Sequence, residues 1–364
     1  MPFDRGNISF SMFEIPEELP ENIIDLFAAH KAGTLDSVNE EPQVGWVTGH
    51  HLLDTNIDME SAQMGGCYFL TLRQAVRKMP SVLLDAICKR EEAAYLKANN
   101  LERISGKIRR QIKEEAIERH IQKMPPALSG ISLVLEPHSR LLFVSATSQS
   151  QIDMFVENFF QTVKIEPIQL TPGKILFSEF QVSTNAFPEL EIGEQRSAAE
   201  PSIGRDFLTY LWYYGETIGK VNHPEYGEFD ILIEPPLVFM GDGDDRGAGE
   251  MVLKKGGSPL RSAEAKAAVA VGKKLRKVKL SLTRLNQVWT GTFDADMFSF
   301  SGFKLPEGEE MNQFEIFAER IENLKIFREG FIAYFKMFAQ AMLGEERAAT
   351  CEAIRNWAKN RDAI

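Results

Sequence analysis

Two pairs of aspartates in this sequence have the spacing of a metal-binding motif. They are Asp242 with Asp244 and Asp294 with Asp296, each pair separated by one residue. Alternate residues on a strand point to the same side, so either pair could offer two carboxylates to the metal ion of a nuclease. Asp-x-Asp is also common at turns, and the first pair lacks the remaining ligands of a calcium loop. A solvated turn is therefore the better interpretation at both positions.

A run of basic residues stands out in an otherwise acidic chain. The 364 residues include 41 Lys and Arg against 52 Asp and Glu, for a net charge of −11. The segment 252–284 holds ten basic residues and only Glu264 as an acid, a local balance of +9 that leaves −20 for the rest. Basic side chains near phosphates release counterions and bind without reading base sequence. We therefore predict polyanion binding, rather than a merely solvated face, through Lys254, Lys255, Lys273, Lys274, Arg276, Lys277 and Lys279.

A second basic run covers residues 101–123, with seven basic and four acidic residues. If this run is helical, Arg103, Lys107 and Arg110 share one face. A mixed run of this kind is usually a solvated helix surface. These three residues are the candidates for contact with a polyanion if it is not.

Other chemistries lack their motifs. The sequence contains no GxxxxGK[ST] phosphate loop, no GxSxG nucleophile turn and no HExxH zinc motif. Cys67, Cys88 and Cys351 are far apart and include no CxxC pair, which argues against a zinc framework or a disulfide scaffold. We predict no catalytic residue, no metal site and no cofactor, and the three cysteines fit a reducing cytoplasm.

Hydrophobic periodicity predicts the elements that position these residues. Strands are expected at 43–48, 66–73 and 275–285, and long amphipathic helices at 81–98 and 101–124. The fold class is therefore α+β with mixed or antiparallel sheets in a multi-domain chain. In the strand 275–285, alternation puts the aliphatic residues on one face and Lys277, Lys279, Ser281 and Thr283 on the other.

We expect the chain to comprise three regions: 1–172, 173–250 and 251–364. Residues 183–204 in the middle region have the composition of a surface linker. No apolar stretch approaches the roughly 18–20 residues of a membrane span, and the N-terminus lacks the pattern of a signal peptide. We expect a cytoplasmic protein with no membrane partner.

The order of several motifs resembles the RdgC family of bacterial recombination-associated DNA-binding proteins. The N-terminal motifs are Gly45-Trp46-Val47, the strand GCYFLTLR ending at Arg73, RKMPSVLLDAI with the basic helix after it, and ISLVLEPHSRLLFVSATSQSQID. The C-terminal motif is LKKGGSPLRSAEAKAAVAVGKKLRKVKLSLTRL. The middle residues 173–250 depart from the short members of the family.

The resemblance implies a subunit that pairs as a closed, ring-shaped homodimer around duplex DNA. Such proteins bind DNA, double-stranded or single-stranded, with little sequence preference, and they restrain recombinase loading at the nucleoid. In that arrangement Lys254 and Lys255 form a finger on the DNA backbone, while Arg103, Lys107 and Arg110 line the inner surface. Two alternatives remain open: a metal-dependent DNA exonuclease, and a scaffold whose basic strand meets an acidic protein partner.

Overall fold

The structure, a computed structural model, describes residues 2–192, 202–241, 249–254, 259–308 and 312–360. The chain divides into two compact units, and strands β4 and β5 contribute residues to both. Unit 1 comprises residues 1–19, 64–68 and 134–364, and unit 2 comprises residues 20–63 and 69–133. The expected division into three regions stays a prediction.

The strands are Ile8–Glu14 (β1), Gln43–Thr48 (β2), Gln63–Met64 (β3), Cys67–Val76 (β4), Ala127–Glu136 (β5), Leu141–Val144 (β6), Ile168–Gln169 (β7), Lys220–His223 (β8), Gly227–Met240 (β9), Glu250–Leu253 (β10), Lys274–Arg284 (β11), Gln287–Asp294 (β12) and Ser299–Lys304 (β13). The helices are Ile23–Ala29 (α1), Met59–Ala62 (α2), Ser81–Asn99 (α3), Gly106–His120 (α4), Gln149–Val163 (α5), Pro172–Phe180 (α6), Ile203–Thr217 (α7), Ala263–Ala270 (α8), Gln313–Leu343 (α9) and Arg347–Asn360 (α10). This confirms the α+β class with antiparallel strands.

Unit 1 is built on an antiparallel sheet with the strand order β10-β9-β11-β12-β13-β1-β6. Aromatic side chains from the sheet pack against the long helix α9. Phe331 on α9 lies 5.0 Å, ring centre to ring centre, from both Phe293 and Phe300. Helix α7 joins the same core through Phe207, 5.5 Å from Phe331. The burial of these large rings supplies much of the free energy that fixes the sheet beneath α9.

Strand β11 follows the predicted alternation. Val278, Leu280 and Leu282 are fully buried, whereas Lys277 and Lys279 are half-buried on the opposite face. The helix before this strand begins as its sequence indicates, because the Ala265 amide donates to the Ser262 hydroxyl at 3.1 Å.

Unit 2 contains strands β2 and β4 paired in antiparallel fashion, and helices α3 and α4. Helix α3 has no buried residue and α4 buries only Ala116, so the two helices form an exposed hairpin. The helix predicted for 101–124 begins only at Gly106, because the Ser105 hydroxyl accepts the Ile108 amide and caps it. Arg103 therefore precedes the helix, and its predicted place on one helical face with Lys107 and Arg110 is wrong.

The segment 183–204 is not a surface linker in its described part. Phe187, Leu190 and Ile192 are all buried. Their burial is consistent with the sequence, since each is apolar, but the polar residues between them hid the pattern. Residues 193–201 lie outside the described residues. In the parts of the chain that the structure describes, no helix combines the length and apolarity needed to cross a bilayer.

Candidate nucleic-acid interface

The central basic strand, β11, brings four of the predicted DNA-binding residues together. A shift in register between Leu275 and Lys277 interrupts the pairing with β9 at Arg276. The interruption leaves Arg276 and Lys277 both half-buried, although they are consecutive residues. Lys279 follows two positions later on the accessible face. Three cations therefore lie close together on the accessible side of one strand.

Each exposed lysine of β11 has a carboxylate directly across the sheet. Lys277 Nζ lies 2.9 Å from Asp294 Oδ2, and the two residues are register partners on β11 and β12. Lys279 Nζ lies 3.1 Å from Glu234 Oε2, and these are register partners on β11 and β9. Opposite charges at directly facing positions stabilise such a pair of strands. The local positive charge is therefore much smaller than the sequence count suggests.

Arg276 shares a carboxylate with a residue of helix α7. Arg205 donates from Nε and from its second guanidinium nitrogen to the two oxygens of Asp296, both at 2.7 Å. Arg276 Nε lies 3.1 Å from the same carboxylate. A Cβ on Gly204 would come within 2.1 Å of the Ala295 carbonyl oxygen, so only glycine allows α7 to approach this loop. That approach places Arg205 beside Asp296.

Lys274 is buried, unlike Arg276, Lys277 and Lys279 on the same strand. Its Nζ lies 2.7 Å from Glu189 Oε1 and 2.7 Å from Asp206 Oδ1, and Asp206 is fully buried. Burial disfavours a charged lysine, but the charges and hydrogen bonds of Asp206 and Glu189 outweigh it and raise the pKa of Lys274. Burial raises the pKa of Asp206 to about 6, although Lys274 and the Leu190 amide favour its ionised form. The cluster ties β11 to α7 and to the segment before it.

The raised pKa of Asp206 predicts a pH dependence of folding stability. Between the ordinary value of 3.8 and about 6, the folded state binds a proton that the unfolded state has released. The contribution of Asp206 to the free energy of unfolding is thus fully present below pH 3.8 and is lost as the pH rises through about 6. Urea unfolding at several pH values should show a flatter profile for Asp206→Asn across this window. A profile that matches wild type would contradict the assignment.

The second set of predicted DNA-binding residues lies on helix α4 and in the segment before it. Lys107 and Arg110 are exposed on the helix, and Arg103 is exposed in the connection from α3. Arg110 forms an ion pair of 2.9 Å with Glu114, whereas Arg103 and Lys107 pair with no carboxylate of the described residues. These cations are in unit 2, and those of β11 are in unit 1.

The remaining predicted residues surround the ends of β10 and β11. Lys254 is exposed after β10 and makes no ion pair within the described residues. Lys273 is half-buried between Gly272 and β11. Lys255 lies outside the described residues, as do Asp242 and Asp244 of the first aspartate pair. A contact of these lysines with DNA stays a prediction.

The second aspartate pair forms the expected turn. Asp294 Oδ1 accepts the backbone amides of Asp296 and Met297, which closes the connection between β12 and β13. The remaining carboxylate oxygens face Arg205, Arg276 and Lys277, as described above. Within the described ranges, no group of three or more His, Cys, Asp or Glu side chains could hold a metal ion.

Sequence reasoning missed the acidic partners of β11. They are Glu189, Asp206, Glu234, Asp294 and Asp296, and all lie outside the segment 252–284. Strand alternation carries a signal for Asp294, which ends β12. The partners from α7 and from the segment before it depend on tertiary packing, for which the sequence shows no local pattern.

Comparison with known proteins connects the N-terminal part of this chain with a family. Residues 11–176, a little under half of the chain, match a family model described as "Putative exonuclease, RdgC". The matched segment begins in β1, includes the exposed hairpin of α3 and α4, and ends in α6, so β11 lies outside it. A search of curated proteins found no match. Residues 11–176 are therefore similar to the RdgC family, and the rest of the chain lies outside the match.

Proposed function

We propose that the protein binds DNA without sequence specificity. The proposal rests on one observation: Arg276, Lys277 and Lys279 lie half-exposed and close together on one strand. Contacts of Lys and Arg with phosphates provide affinity but carry no base information. The exposed cations Arg103 and Lys107, which lie within residues 11–176, form a second set of phosphate contacts.

The similarity of residues 11–176 to the RdgC family supports a more detailed proposal. The chain acts as a homodimer that closes into a ring around duplex DNA at the nucleoid and restrains recombinase loading. An acidic exterior around a basic interior would limit indiscriminate association, in keeping with the net charge of −11. A ring predicts that linear duplexes load more readily than closed circles. Sedimentation of the free protein as a monomer, or equal loading of both DNA forms, would contradict the ring.

Neutralising the lysines of β11 should weaken DNA binding and flatten its salt dependence. Each lost phosphate contact reduces the slope of log affinity against log salt by about 0.9. For Lys277→Gln/Lys279→Gln we therefore expect a slope shallower by at most about 1.8, the value for two phosphate contacts. The measurement is fluorescence anisotropy at several salt concentrations with a labelled duplex of about 30 base pairs, which spans about three helical turns.

The matched control is Lys220→Gln/Lys304→Gln. Both lysines are exposed in unit 1 and each pairs with an exposed carboxylate, Glu228 and Glu307 respectively. The control removes the same charge from other strands, and its affinity and slope should stay near wild type. Equal losses in both variants would show that net charge alone, and not the face of β11, determines binding. The Arg103→Gln/Lys107→Gln variant tests the second set in the same way.

A metal-dependent exonuclease is the second candidate, because the family model carries that description. The carboxylates of Asp294 and Asp296 face cations in this structure, so a metal ion would have to displace Arg205, Arg276 or Lys277. Incubation of end-labelled DNA with Mg²⁺ or Mn²⁺ distinguishes the two functions. Shortening of the DNA that disappears in Asp296→Asn would favour the nuclease, and intact DNA in a stable complex would favour the binding protein. Capture of an acidic protein without any DNA binding at low salt would favour a scaffold.

A further inference from the structure

The carboxylates that face β11 differ in how strongly the fold holds them. The side chains of Lys277 and Lys279 are 38% and 40% exposed, and their partners Asp294 and Glu234 are 10% and 33% exposed. Lys274 is 11% exposed in its side chain and faces the fully buried Asp206. Ion pairs near the surface exchange with solvent ions at little cost, whereas a buried pair does not. Lys277 and Lys279 are therefore the lysines that can exchange. Asp294 is itself buried, so its carboxylate can lose Lys277 only because other hydrogen bonds hold it.

Each exchangeable carboxylate also has a second anchor that does not need its charge. Asp294 Oδ1 accepts two backbone amides in its turn. Glu234 Oε2 accepts the Ser281 hydroxyl at 2.9 Å, and Ser281 also contacts the Thr290 hydroxyl. These hydrogen bonds keep both carboxylates in place when the lysine moves away. A lysine that leaves for a phosphate can therefore return to a carboxylate that has not moved.

We propose that Asp294 and Glu234 compete with DNA phosphates for Lys277 and Lys279. They set the strength and the salt dependence of DNA binding, so they determine affinity without touching the DNA. This inference rests on the proposed function, because it needs β11 to meet DNA. When a phosphate takes a lysine, the released carboxylate takes up a cation from solution. That uptake offsets a counterion released from the DNA. The DNA affinity of wild type therefore depends less steeply on salt than it would without the two carboxylates.

Asp296 is excluded from this role. Its two oxygens are held by the fork of Arg205, and its loss would remove both of these hydrogen bonds from a partly buried guanidinium. Asp206 is excluded because it is buried. The inference therefore concerns two carboxylates, which can be neutralised with little change in shape.

The test compares wild type with Asp294→Asn/Glu234→Gln on the same labelled duplex. Both replacements keep an oxygen that can accept the amide or hydroxyl bonds described above. We expect the affinity at low salt to rise by about 2- to 25-fold, since each exposed pair opposes binding by a factor of about 1.4–5. The slope of log affinity against log salt should become steeper by up to about 1.8, one released counterion for each freed lysine.

A control of equal charge separates local competition from the change in net charge. Glu157→Gln/Glu352→Gln removes two exposed carboxylates of unit 1, on α5 and α10, that make no ion pair within the described residues. The slope of log affinity against log salt for this control should match that of wild type. Adding Lys277→Gln/Lys279→Gln to the Asp294→Asn/Glu234→Gln variant should abolish the gain, because the freed cations are then absent.

The outcomes separate this inference from the proposed function. If wild type binds DNA and the Asp294→Asn/Glu234→Gln variant binds with the same affinity and slope, the competition is disproved and the function stands. If wild type fails to bind but the variant binds, the proposed function of the wild-type chain fails and the inhibitory role of the carboxylates stands. If neither binds, although circular dichroism shows both folded, both proposals are overturned.

Discussion

Lys274→Met is expected to lower the free energy of unfolding by about 3–5 kcal/mol, the usual cost of removing one partner from a buried ion pair. Methionine nearly fills the volume of the lysine but leaves the buried Asp206 without its cation. Glu189, which is partly exposed, loses the same partner and can be solvated. Urea unfolding followed by circular dichroism at pH 7 measures the loss.

Two variants control this result. Lys274→Met/Asp206→Asn removes both charges, and the asparagine oxygen can still accept the Leu190 amide, so most of the stability should return. Lys279→Met breaks a half-exposed pair on the same strand and should cost about 1 kcal/mol or less. A loss below about 1 kcal/mol for Lys274→Met, no larger than for an exposed pair, would show that the buried cluster does not stabilise the fold.

The double variant also tests the role that the sequence suggested for Lys274. The sequence grouped this residue with the DNA-binding lysines, whereas its exposed fraction of 9% and its two carboxylate partners point to a stabilising role. DNA affinity within about twofold of wild type for Lys274→Met/Asp206→Asn would support stabilisation alone. A loss as large as that of Lys277→Gln/Lys279→Gln would support a phosphate contact.

Arg77→Met is expected to destabilise unit 2 by about 2–4 kcal/mol, because several backbone carbonyls lose a charged donor. Arg77 is buried just after β4, before helix α3 begins. Its guanidinium donates to carbonyl oxygens on both sides of the exposed hairpin of α3 and α4. The acceptors are those of Leu35, Val38, Gln122 and Met124. The arginine thus connects the chain entering α3 with the chain leaving α4.

Hydrogen exchange of residues 81–124 is the sharpest measurement for Arg77→Met, since loss of this connection should speed exchange across both helices. Arg119→Met is the control. Arg119 is an exposed arginine of α4 whose only described ion pair is with Glu115, so its removal should change stability by about 0.5 kcal/mol or less. Protection that is unchanged in Arg77→Met would show that the hairpin is held by its own helix contacts.

Local patterns in the sequence were sufficient for several features of this protein. The period-two alternation of β11 gave its buried and accessible faces, since successive side chains of a strand point in opposite directions. Ser262 marked the start of α8 because a cap needs only its own side chain and an amide three residues later. The order of N-terminal motifs indicated the family whose model matches residues 11–176. Each of these properties is fixed by residues close together in the chain.

The start of α4 and the burial of residues 187–192 show where such patterns fail. Apolar spacing continues through Leu101 and Ile104, but Ser105 stops the helix from extending back to Arg103. Leu190 is buried, and its amide donates to Asp206, sixteen residues away. A local pattern does not reveal a contact of that kind.

The charge of β11 is the property that only the tertiary structure decided. The sequence gives a segment of +9 within a chain of −11, and both counts are correct. Coulombic interactions depend on separation in space, however, and strand pairing brings Glu234 and Asp294 beside Lys279 and Lys277. Packing of α7 brings Asp206 to Lys274 in the same way. The sequence therefore determined which residues are basic and which face they share, while the fold determined how much of that charge remains available to a ligand.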